Sequence, residues 1–331
     1  VRRLVVACLA VCALLAGCGT TGTGSPLQVT DTLVAARPDR SPPTGTAPAG
    51  TVLPGPPADL SAFDPATHTL VLAGADRPAL TLIDPRAPEQ RSRTIALPSP
   101  AAGLHLTGGT VLAALPDHGS VARVDLRSGS VEHTAVPNRP VDAVETNGRL
   151  VVARQGSKDI AVLDGGTLVR TIGGFNGPAR LLRQSRQEVL VLDRLATSLT
   201  PVNIVTGDKG AALRAGEGAT HAVTDRYGRA LTVDTRGGEF LAFATDPLIL
   251  KQRYPVSGSP FGLTYDPTRD LAWITLTARN ELVAYDVAGG QPEEKHRLPT
   301  VRQPEAVSVD PDTGTVYVAS ATGRGIQVVT V

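Results

Sequence analysis

From position 51 onward the chain alternates short apolar runs with polar turns rich in Gly, Pro, Asp and Asn. The final stretch, QPEAVSVDPDTGTVYVASATGRGIQVVTV (Gln303–Val331), shows the unit most clearly. It predicts three strands, Ala306–Val309, Thr315–Ala319 and Gly325–Val331, the first two joined by the turn Asp310-Pro311-Asp312-Thr313-Gly314. Proline fits the second position of a type I turn, and glycine supplies the left-handed residue that closes it. Nearly the same phrase stands at Ser259–Leu276 and at Pro57–Gly74.

The second strand of each unit marks a period. It falls at Leu70–Ala73, Val111–Ala114, Leu150–Ala153, Val189–Leu192, Ala230–Val233, Leu271–Ile274 and Val316–Ala319. Successive starts differ by 41, 39, 39, 41, 41 and 45 residues. Units of this length with four short strands predict an all-β fold, a seven-bladed β-propeller. The second strands are continuously apolar because neighbouring blades cover both of their faces. Third strands tend to end in an acid or amide (Asp84, Asp125, Asp164, Asn203, Asp286), often before a glycine. Such side chains cap turns, so these five read as structural. The last unit stops after its third strand. Thr51–Leu53 is expected to supply the fourth, because GTVLPGPPADL aligns with HRLPTVRQPEAV ahead of the seventh blade. A ring closed in this way leaves no open edge.

The DP-x-T-G-x-V-Y-V-A-x phrase at Asp310–Ser320 resembles the YVTN/YncE-type seven-bladed propellers, relatives of the NHL-repeat proteins. The resemblance covers about Thr51–Val331, and no blade carries the paired GH and WD of the WD40 class. It implies an extracytoplasmic binding protein.

The N-terminus changes the picture by giving an address. A basic Arg2-Arg3 precedes the apolar run Leu4–Leu15, too short to span a bilayer comfortably but suited to a signal peptide. The run ends in Leu15-Ala16-Gly17-Cys18, which resembles the bacterial lipobox and implies cleavage before a diacylated Cys18. The organisation expected is a lipoprotein signal peptide at 1–17, a lipidated cysteine with a flexible Pro/Gly/Thr-rich tether at 18–50, and a propeller at 51–331. Within the tether, Leu27–Ala36 is more apolar, and whether it is ordered stays open. The expected partners are the membrane, through the lipid, and a protein or cell-envelope ligand; the propeller is expected to be monomeric.

Composition narrows the chemistry. All three cysteines lie in the first eighteen residues, so no disulfide and no cysteine metal site serves the body. A body of this size buries about three-quarters of its unfolded surface and needs no staple. Aromatics are 3% of the chain and net charge is +1, which gives no electrostatic case for nucleic acid. No G-x-S-x-G occurs, the six histidines show no close spacing, and GTTGTG (Gly19–Gly24) lies in the tether. The single tryptophan, Trp273, reads as core, against a stacked sugar platform. No cofactor is expected.

Propellers usually bind ligands on the face formed by the fourth-to-first and second-to-third strand loops, where the channel opens. Aligned first strands place Asp59, Asp142, Arg180, His221, Phe261 and Glu305 near that mouth. Three carboxylates there leave room for a channel cation and, as the alternative, a metal-dependent lactonase-like hydrolase, although the asparagine of such sites has no match. The second-to-third loops carry a recurrent arginine at Arg77, Arg154, Arg194, Arg236, Arg279 and Arg324, with His118 in the remaining blade. Two readings stand. These are solvated loops in a chain with 28 arginines against 4 lysines, several beside an acid, or they form a rim that grips an anionic group through forked hydrogen bonds.

Overall fold

The apolar runs form seven four-stranded antiparallel sheets in a computed structural model that describes residues 33–88 and 92–331. No helix forms among the described residues. The signal peptide, Cys18 and Leu27–Thr32 lie outside them. Every predicted second strand is one, from Thr69–Ala73 in blade 1 to Thr315–Ser320 in blade 7. Their apolar side chains are buried, Leu150 only partly, and Leu70, Val111, Val151, Val189 and Val316 have no exposure at all. The innermost strands of successive blades touch around the ring, and that of blade 7 (Pro304–Val309) touches that of blade 1 (Leu60–Asp64). Trp273 is fully buried in the second strand of blade 6 and stacks on His296 at 5.7 Å.

Closure is as expected. Thr51–Leu53 pairs antiparallel with Ile326–Thr330, placing Thr51 opposite Val328 and Leu53 opposite Ile326. Leu53 packs with Phe63, Tyr317 and Ile326 where blades 1 and 7 meet.

The turn acids act as structural caps. Asp310 accepts from the Asp312 amide at 3.0 Å and the Thr313 hydroxyl at 2.8 Å, and Gly314 closes the turn at φ +77°. Asp125 and Asn203 accept amides two and three residues ahead, and Asp286 the amide of Ala288.

The reading of residues up to 50 as flexible tether needs correction from Ala35 on. This segment belongs to the propeller's compact unit. Of the apolar stretch, residues 33–36 carry no strand. The Ser41 amide donates to Gln303 Oε1 at 2.9 Å, its hydroxyl to the Thr277 carbonyl at 2.6 Å, and the side chain is buried. Asn280 donates to the Pro42 carbonyl, and the Ala49 amide to that of Pro299. Composition missed this because the segment buries little apolar surface of its own. Proline limits its conformations, and its backbone groups find partners on loops distant in sequence.

Candidate functional site: the central channel

The upper face carries the fourth-to-first and second-to-third strand loops, and the lower face the other two sets. The innermost strands surround a cavity of about 480 Å³. Its lining reaches the lower face at Pro65, Pro267 and Pro311, and ends towards the upper face at Arg180 and His221. Of the six upper-face candidates on first strands, only these two line it. Asp59, Asp142, Phe261 and Glu305 do not, although Phe261 meets the His221 ring edge-on at 4.7 Å.

Arg180 links the surrounding charges. Its Nη1 lies 3.5 Å from Oδ1 of Asp142, a charge contact too long for a good hydrogen bond. Asp142 is 1% exposed and accepts the Leu181 amide at 2.7 Å through its other oxygen. Burial raises its pKa, against the pull of Arg180 and that amide. Asp59 and Glu305 are also raised by burial, and Asp59 adds repulsion at Glu305, which accepts from Gln303 Nε2 at 2.9 Å. Thus two of the three carboxylates influence each other while Asp142 is engaged by Arg180. Among the described residues no three His, Cys, Asp or Glu side chains gather to hold a metal ion.

Five of the six rim arginines make separate local bonds instead of converging. Arg154 forms a buried two-pronged pair with Asp159 at 2.7 and 2.8 Å. Arg236 donates to the Glu217 carbonyl, Arg279 to Ser257 Oγ, and Arg77 weakly to Thr81 Oγ1 at 3.4 Å. Arg324 borders a groove with Pro43, Thr44 and Arg302. Arg194 differs: its Nη2 donates at 2.5 Å to the carbonyl of Ala36, so it holds the N-terminal segment. Burial, then repulsion from Arg180 and Arg37, bring its pKa down to about 10.

Sequence reasoning passed over Arg183, His105, Ser61, Thr224 and Ser308, which line the cavity. The available signal was their place along the innermost strands, a few residues beyond the mouth positions. The fold also brings His118 and His133 to 5.7 Å, both around Ser120 Oγ, although fifteen positions separate them in the chain.

His105 and His221 are half-buried beside the cavity, and both are held neutral. Burial, then Arg180 and Arg183, lower His105 to about 4; burial, then Arg180 and Arg194, lower His221 well below its usual value. An unfolded histidine takes up its proton near 6.5, so each group costs stability as pH falls below that value. For His105 the loss ends near pH 4, where the folded form also binds the proton. Replacing His105 by Gln is therefore expected to flatten the stability profile between pH 6.5 and 4, by at most about 1.4 kcal/mol per pH unit. Urea midpoints of both proteins across that range measure it; parallel profiles would refute it.

No family model matches the chain, and no curated protein matches it. Solved structures do. The chain is similar to Kuenenia stuttgartiensis hydrazine synthase (TM-score 0.70, 16% identity, covering 86% of this chain and 99% of that one). It is similar to a chain of the mitotic checkpoint complex (TM-score 0.73, 13%, covering 91% and 99%). A third is a catalytically inactive virginiamycin B lyase from Staphylococcus aureus with quinupristin (TM-score 0.70, 13%, covering 85% and 98%). What they share with this chain is the propeller. At these identities the likeness establishes the fold alone.

Proposed function

We propose that this chain is a membrane-anchored extracytoplasmic lipoprotein whose propeller is a binding or scaffold module for a protein or cell-envelope ligand. The observation that carries the binding reading is the make-up of the channel. Its polar lining consists of guanidinium, imidazole and hydroxyl groups, with no carboxylate among them. Such a set offers hydrogen bonds and positive charge, and it lacks the paired carboxylates of a carboxylate-driven hydrolase. The YVTN/YncE-like phrase at Asp310–Ser320 supports the same reading, and the lipobox ending in Cys18 supports the anchor.

The docked segment alters the expected tether. With the propeller beginning at Ala35, 17 residues (18 to 34) separate it from the lipid. Ala36 and Ser41 rest on upper-face loops, so the propeller's ordered N-terminal segment starts on that face.

Cys18→Ala is expected to abolish detergent-requiring membrane attachment while leaving the propeller folded. Membrane fractionation, with mass spectrometry of the wild-type N-terminus, checks it. An unmodified Cys18 in the mature wild-type protein would overturn the anchor.

A further inference from the structure

We propose that the central channel binds a small anion, a carboxylate or phosphate group, between Arg180 and Arg183 and the hydroxyl and imidazole groups of the innermost strands. This deepens the reading of the propeller as a binding module and rests on it.

Three observations converge. The first is charge. Arg180 and Arg183 both line the cavity, together with His105 and His221, and no carboxylate does. Arg183 is exposed and makes no ion pair among the described residues, while Arg180 has only the 3.5 Å contact to Asp142. A cation set with so little compensation favours an incoming negative charge, more strongly inside protein walls than in open water. Burial first, and then the same charge, keep both histidines neutral, so the site's positive character comes from the arginines and persists across the neutral range.

The second is unmet hydrogen bonding. Ser61 Oγ, Thr224 Oγ1, Ser308 Oγ and His221 Nδ1 are buried atoms with no hydrogen-bond partner among the described residues, and all four residues line this cavity. Buried polar groups are ordinarily paired, and four exceptions around one cavity mark where a polar ligand is received. They come from blades 1, 5 and 7: blades 1 and 7 stand across the ring from Arg180 and Arg183 of blade 4, and blade 5 stands beside it.

The third is size and access. About 480 Å³ suits a small organic acid, a phosphate ester, or one such group carried on a larger protein or envelope ligand. The lining reaches the lower face, whereas the upper face of blades 5, 6 and 7 is lined by the docked N-terminal segment at Ala36, Asp39 and Ser41. The anion therefore enters from the lower face.

Titration calorimetry on the full mature protein in detergent, at low ionic strength, tests this with inorganic phosphate and succinate in separate arms. Saturable binding of either is expected, weakening as salt rises, and the preferred arm names the source of the charge. Arg183→Gln, at an exposed position, is expected to weaken binding about tenfold without disturbing the fold. Arg180→Lys keeps the charge beside Asp142 but loses the guanidinium fork, and should weaken it at least as much. Lack of saturable binding by both anions, or unchanged affinity in both variants, would overturn the proposal. Saturable binding of calcium in their place would also overturn it, yet would leave the propeller's role as a binding module standing.

Discussion

Asp234→Ala is expected to cost the propeller about 3–5 kcal/mol, more than any single substitution in an exposed turn. Asp234 has no exposure, and its carboxylate accepts three amides: Glu217 and Gly218 at 2.7 Å and Gly237 at 2.9 Å. Two of these come from the loop preceding the innermost strand of blade 5, so the side chain ties that loop to the second strand. Hydrogen bonds to a charged group contribute about 1.5–3 kcal/mol each, and their loss leaves amides unpaired. Only a residue without Cβ fits beside it, since a Cβ on Gly216 would come within 2.0 Å of the carboxylate and one on Gly237 within 2.2 Å. Gly216 is also at φ +80°. Asp193 does the same in blade 4, accepting amides of Asn176, Gly177, Leu195 and Ala196. Asp286→Ala, in an exposed turn with one such amide, serves as control and should cost less than about 1 kcal/mol. Chemical denaturation of the three proteins measures the difference. Equal midpoints for Asp234→Ala and Asp286→Ala would show that the buried acid does not tie the blade.

A truncation series is expected to lose stability in two steps. Against a chain starting at Ala35, one starting at Thr51 loses the docked segment. That leaves Gln303 and Asn280 without Ser41 and Pro42, partners made at buried or half-buried sites. The cost is about 1–3 kcal/mol, with some of those groups recovering water. Starting at Pro54 also removes Thr51–Leu53, so the strand Ile326–Thr330 becomes an open edge and Leu53 leaves the seam of blades 1 and 7. A further loss of about 2–4 kcal/mol follows from the ladder bonds and the leucine, and the bare edge favours self-association. Thermal melts with light scattering separate the steps. Identical melting for the chains starting at Thr51 and Pro54 would reject closure by this strand.

The two results divide along a line visible in the residues themselves. The repeat from Leu70 to Ala319, the capping turns at Asp125 and Asp310, and the closing strand Thr51–Leu53 were all legible in the sequence. Each is written locally, as a run of apolar residues, a turn phrase, or an alignment of one unit on another. The position of Trp273 in the core followed from the same pattern.

What the sequence did not carry was which polar residue meets which. Asp193 and Asp234 stand beside Arg194 and Arg236 in the chain and read as their partners, yet both turn inward to backbone amides 16 or 17 residues away. The arginine recurrence is real as a sequence pattern but ends in different local bonds blade by blade. The docking of residues 35–50 was equally invisible, and of the channel's charge only Arg180 and His221 had been placed near the mouth. Both arise when loops and strands far apart in sequence are brought to one axis: Ser41 reaches Gln303 across 262 positions, and Arg180 meets groups from blades 2, 3 and 5. Local periodicity determined the ring, because burial between blades acts on each strand through its own residues. The site is set by distances across the ring, which exist only once it has closed.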